Sequence, residues 1–156
     1  MRHFHVDRVV DIEIGVRAIG LKMVALSDDV FESHFPGNPI LPGVHIIEGL
    51  AQTAGVLLTE STKRERFALM ASIDRARFAH FARPGDAVRF LVEIESLEEA
   101  SARVRGEATV GDRAIASARI TFRLLPVSKF IPEAFRPHWE QGLANWRGEY
   151  PTFDDE

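Results

Sequence analysis

The chain contains no cysteine. That excludes a disulfide scaffold, a thiol nucleophile and any thiolate metal site, and it fits a reducing cytoplasm. No apolar run approaches the ~18 residues of a membrane-spanning helix. The N-terminal stretch MRHFHVDRVVDIEIG carries Asp11 inside its apolar part, so it does not read as a secretory signal. An excess of positive charge is missing too. Nineteen Lys and Arg against 23 Asp and Glu leave a net charge of −4, which is no footprint for non-specific nucleic-acid binding.

What is present suits one folded domain, or one domain plus a tail. The chain has 156 residues, of which 46% are hydrophobic and 27% charged. A chain of this length buries roughly two-thirds of its unfolded surface without a covalent staple. Charge is unevenly spread. Residues 63–89 hold seven bases against three acids, while residues 125–156 hold three bases against six acids. A local basic surface on an acidic protein can steer an acidic partner, or it can be an ordinary solvated face.

Hydrophobic periodicity organises the chain. Val9–Val16 and Leu21–Leu26 read as a hairpin around Gly20. Residues 28–43 carry Pro36, Gly37, Pro39, Pro42 and Gly43, the composition of a shaped loop. Val44 to about Thr62 is the one long helical pattern, with Ile47, Leu50, Ala51, Ala54, Leu57 and Leu58 at helical spacing. The other side of that helix, with His45, Glu48, Gln52, Gly55 and Thr59, is hardly charged. Such a helix belongs inside, wrapped by a sheet. A glutamate on it is costly to ionise unless something pairs or uses it. Four extended stretches follow, within residues 67–78, 88–95, 102–110 and 114–124, and Gly111-Asp112 marks a tight turn. The expected fold class is α+β, one long helix against an antiparallel sheet. The expected boundary puts the domain at residues 1–125 and an extension at 126–156, where Trp139, Leu143 and Trp146 could share one helical face.

The chemistry concentrates in HFPGNPILPGVHIIEGLAQ, residues 34–52. It combines a histidine in a rigid loop, a Pro-Gly at a helix mouth and a carboxylate in the second helical turn. Gly43 stands at the helix start, where an unpaired amide can donate to a carbonyl oxygen. A base, an acid and an oxyanion donor are what enolate-type chemistry beside a carbonyl requires.

This stretch closely resembles the active-site segment of the β-hydroxyacyl-acyl-carrier-protein dehydratases. The resemblance rests on His34-Phe35-Pro36-Gly37, Pro39, Pro42-Gly43-Val44, Glu48 and Ala51-Gln52. Val6-Asp7-Arg8-Val9, Ile73-Asp74, Ala76-Arg77-Phe78 and Pro84-Gly85-Asp86 resemble flanking parts of the family, so the likeness spans about residues 6–124. It implies a hot-dog fold, in which an antiparallel sheet wraps one long central helix. It also implies a homodimer with each site built across the interface, and larger assemblies such as a trimer of dimers. The implied reaction removes water from a (3R)-hydroxyacyl thioester to give the trans-2-enoyl thioester. His34 is then the base, Glu48 the acid, Gly43 with Val44 the oxyanion and substrate-binding element, and Gln52 a residue that orients Glu48. The substrate rides on the phosphopantetheine of an acyl carrier protein, for which Arg75 and Arg77 are docking candidates. No metal or organic cofactor is implied, and His3, His5, His80 and His138 are too scattered for a metal site.

Three features depart from the family pattern. His45 replaces an apolar residue, the N-terminus is short, and the tail beyond Pro126 is long; together they point to a specialised polyketide-like or polyene pathway as readily as to fatty acid synthesis. Thioester hydrolysis, double-bond isomerisation and a non-catalytic acyl-binding role are the competing readings. Intact His34 and Glu48 disfavour the last. Family isomerases tend to carry aspartate where this chain has Glu48.

Overall fold

A computed structural model describes residues 4–150; His3 and the segment from Pro151 lie outside them. Six strands form one antiparallel sheet in the order β1-β2-β4-β5-β6-β3. They are β1 (Arg8–Glu13), β2 (Arg17–Met23), β3 (Arg66–Phe78), β4 (Ala87–Leu97), β5 (Ser101–Val110) and β6 (Arg113–Pro126). The long helix α1 (Gly43–Ser61) lies against the sheet, and α2 (Val127–Phe130) and α3 (Arg136–Trp146) follow β6. This is the expected hot-dog arrangement. Among the described residues no helix is long and apolar enough to cross a membrane.

α1 begins and ends within one residue of the sequence expectation. Its apolar stripe is buried: Ile47, Leu50, Ala54, Leu57 and Leu58 all belong to the main core. Missing side chains let the sheet come close. A Cβ on Gly20 of β2 would strike Thr53 of α1, and one on Gly106 of β5 would lie 2.9 Å from Leu50. From the helix side, a Cβ on Gly49 would press into the ring of Phe90, a fully buried residue of β4.

The first hairpin differs from its expectation. The turn lies at residues 14–16, not at Gly20. Gly15 takes φ +80°, which glycine adopts without steric cost, and the Val16 amide donates to Glu13 O at 3.0 Å. Gly20 sits inside β2, paired with Phe90, where its missing side chain serves the helix rather than a turn. β6 differs at its start. A register shift at Ala108/Thr109 leaves Ala114 exposed and buries Ile115 with Ala116, so simple alternation resumes only from Ala116.

The outer face of the sheet is wet and ion-paired. Arg105 meets Glu93 at 2.6 Å and Arg119 meets Glu95 at 2.8 Å. There the Ser72 hydroxyl, followed by that of Thr121, holds the exposed Asp74 carboxyl below the usual carboxylate range. Surface pairs of this kind contribute little to stability. The helix–sheet contact carries the fold.

Two glycines of α1 should therefore respond oppositely to alanine. At Gly55 an added Cβ meets nothing within 4 Å, so Gly55→Ala gains helix propensity and raises stability by up to about 1 kcal/mol. Gly49→Ala forces the Phe90 ring to move and lowers stability by about 1–3 kcal/mol. Urea unfolding of both variants at one protein concentration measures the two signs, and a stabilised Gly49→Ala would contradict this packing.

Candidate active site

The loop between β2 and α1 is held along its length. A 3-10 turn at Asp29–Glu32 buries Phe31. Gly37 takes φ +75°, and Phe35 and Asn38 exchange backbone hydrogen bonds across it. The Leu41 amide donates to Ala82 O at 2.8 Å, and Arg83 Nη1 donates to Asn38 Oδ1 at 2.8 Å and to Pro39 O at 3.1 Å. The rigidity expected from the Pro/Gly content is thus reinforced from a second segment.

This loop fixes His34. Its backbone oxygen accepts from the Ile40 amide at 3.1 Å. Its ring Nδ1 lies 3.0 Å from Ile40 O. A carbonyl can only accept, so Nδ1 carries the proton in the neutral ring and Nε2 keeps a free lone pair. The Phe35 ring stacks on the imidazole with centroids 4.1 Å apart.

Gly43 opens α1. The first amides with a helical acceptor are those of His45 and Ile46, both donating to Pro42 O. The Gly43 and Val44 amides precede them and belong to the unpaired first turn, at the positive end of the helix dipole. The glycine also makes room: a Cβ there would come within 2.7 Å of the Phe78 ring. His34, Gly43 and Val44 line one cavity of about 480 Å³ with Phe35, Phe78 and Phe81. Phe81 carries no motif signal; Phe78 ends the Ala76-Arg77-Phe78 stretch that resembles the family, which did not mark it as a wall of this cavity.

Glu48 lines a different cavity, of about 260 Å³. It is half-buried, and its Oε1 accepts from Gln52 Nε2 at 2.9 Å. The other end of that amide is used as well: Gln52 Oε1 accepts from the His5 amide at 2.9 Å. That bond determines which end of the side chain faces Glu48, so the orienting role expected of Gln52 has a geometric basis. His5 was not legible in this role, because a backbone donor leaves no side-chain signature. The His5 and His45 rings lie together with centroids 4.4 Å apart, next to this network. Within one chain, then, His34 is brought to Gly43 and Val44, and Glu48 to Gln52, while the two groups line separate cavities.

Arg75 and Arg77 sit on the exposed half of β3, opposite Arg119 and Ser117. Among the described residues neither forms an ion pair. Neither lines the His34 or the Glu48 cavity, although Arg77 adjoins Phe78. Among the described residues no three His, Cys, Asp or Glu side chains form a metal-binding group.

Comparison with known proteins bears on the family and the fold. The model of the FabA-like domain family matches residues 2–119. The chain is 42% identical over 125 residues to a 3-hydroxyacyl-[acyl-carrier-protein] dehydratase FabZ of Chloroflexus aggregans, covering 80% of this chain and 87% of that protein. It is 43% identical over 132 residues to a FabZ of Thermomicrobium roseum, covering 84% and 85%. Among solved structures, a conserved protein from Pseudomonas aeruginosa superposes with a TM-score of 0.63 at 19% identity, over 76% of this chain and 87% of that one. The fluoroacetyl-CoA thioesterase FlK superposes at 0.63 and 16% identity, over 80% and 96%. Both structures share the fold; the sequence relatives go further. The chain belongs to the FabA-like dehydratase family.

Proposed function

We propose that this protein dehydrates (3R)-hydroxyacyl thioesters on an acyl carrier protein, as a step of fatty acid synthesis. The observation that carries this reading is the His34 cavity, where an imidazole with its Nε2 lone pair free faces the same space as the unpaired amides that open α1. Nε2 takes the C2 proton. The C2–H electrons move toward the thioester carbonyl, whose oxygen accepts from the Gly43 amide while charge develops. The electrons then return to form the C2=C3 double bond as the C3–O bond breaks. Glu48 gives its proton to the departing hydroxyl, which leaves as water. The imidazolium and the carboxylate exchange the proton back through water. Apart from that water, the steps use side chains and one backbone amide.

Because one protomer separates His34 from Glu48, the complete site needs a second copy. The surface supports one. β3 is an edge of the sheet, and along or beside it Met70, Ile73, Phe78 and Phe81 are exposed. Phe35 and Val44 are exposed on the same His34 cavity, Val44 at 70%. A long edge strand with apolar neighbours invites pairing with another chain. A homodimer joined there would set the His34 of one protomer against the Glu48 of its partner.

Arg75 and Arg77 support a docking role because they are exposed and leave their charge unneutralised among the described residues. An acidic carrier protein would be steered to such a surface.

The direct test incubates the protein with 3-hydroxyacyl carrier substrates and follows enoyl absorbance and thiol release. Enoyl product without free thiol is expected; thiol without enoyl product indicates hydrolysis and sinks the proposal. His34→Ala and Glu48→Gln should each lower kcat by about 10²–10⁴-fold. Reversing charge with Arg75→Glu/Arg77→Glu should raise KM for the carrier-borne substrate roughly tenfold and leave KM for the pantetheine thioester unmoved. Equal changes for both substrates would remove these arginines from docking.

A further inference from the structure

The cavity beside Glu48 is walled partly by residues beyond the family model, which ends at residue 119. Trp139, Leu143 and Trp146 of α3 line it together with Glu48 and Gly55 of α1. The tail is fastened there. Leu143 is buried in the main core, and the rings of Phe67 and Phe130 stack at 4.4 Å where the chain leaves β6. Phe4 meets the Trp146 ring edge-on at 5.6 Å. Arg147, just past α3, pairs at 3.3 Å with Glu60 of α1, whose side chain is only 9% exposed. These contacts hold α2 ahead of α3, Leu143 within α3 and the C-terminal end of α3 beside the cavity.

Gly55 supplies the opposite observation. Glycine inside a helix is disfavoured, and the contacts that explain Gly20, Gly49 and Gly106 are missing at this position. A Cβ on Gly55 would meet nothing within 4 Å, yet the residue lines this cavity. Its missing side chain keeps the space open. A substrate whose 3-hydroxyl reaches Glu48 would extend its apolar chain into the room that Gly55 leaves, toward the two indoles.

We infer that α3 closes the pocket that receives the acyl chain, and that Gly55, Trp139 and Trp146 fix the length of chain accepted. The inference rests on the functional reading above, since Glu48 joins the pocket to the chemistry. Methylenes that fit leave water; those that do not fit must displace an indole.

The chain has two tryptophans, and both line this pocket, so its indole emission reports on the pocket without any turnover. The probe is an octanoyl-pantetheine thioester brominated at the chain terminus, bromine being a contact quencher. It should quench the parent protein and fail to quench Gly55→Leu, in which the pocket is filled. In turnover, Trp139→Ala and Trp146→Ala should each raise the kcat/KM ratio of 3-hydroxyhexadecanoyl over 3-hydroxybutyryl substrate about tenfold or more, and Gly55→Leu should lower it by a similar factor. A parent emission unmoved by saturating probe overturns the inference, and so does a ratio that stays constant or moves one way in all three variants. If the variants fail to fold, quenching of the parent decides. If the parent forms no enoyl product, the functional reading fails, while quenching still tests the pocket.

Discussion

The close seating of α1 against the sheet is the contact on which the site depends. Gly20 and Gly106 give way on the strands and Gly49 on the helix, so that Thr53, Leu50 and Phe90 fill the space between. With the helix fixed at that depth, its first turn emerges beside the Pro/Gly loop, and Gly43 meets the Phe78 ring at the end of β3. A helix seated farther out would carry the unpaired amides of its first turn away from His34. The packing that gives the protein its core also sets where the amides that open α1 lie.

Much of this was legible in residues 34–62. A run of prolines and glycines followed by an apolar pattern of helical period specified a loop, a helix start and the positions of His34, Gly43, Glu48 and Gln52, because each signal is local. The misread parts depend on partners far away in sequence. Gly20 looked like a turn residue, since nothing nearby shows that Thr53 will lie against it, while the actual turn formed at Gly15. Strict alternation also fails at the start of β6, where the pairing with β5 slips at Ala108/Thr109 and leaves Ala114 exposed. The tail offered a possible helical face at Trp139, Leu143 and Trp146 but no indication of what that face would cover.

The fold distributes the candidate chemistry in a particular way. One end of α1 belongs to the His34 cavity, with backbone donors and a histidine fixed in one tautomer. Farther along, the helix presents Glu48, steadied by Gln52 and through it by the His5 amide. A side chain fixed through a second hydrogen bond loses little freedom when substrate arrives, which is how preorganised sites lower a barrier. Each half is preorganised, and neither contains both an acid and a base for one substrate. The proposed dehydration needs both halves and so calls for two chains, and the apolar edge around β3 is where we propose that they meet.

Mixing two defective variants tests that claim most directly. His34→Ala and Glu48→Gln proteins, each purified inactive and then allowed to exchange subunits, yield dimers of which half are mixed, each with one intact site. Activity should return to about a quarter of the parental value per protomer. No recovery, with exchange demonstrated by tagging one variant, would contradict a site shared between two chains.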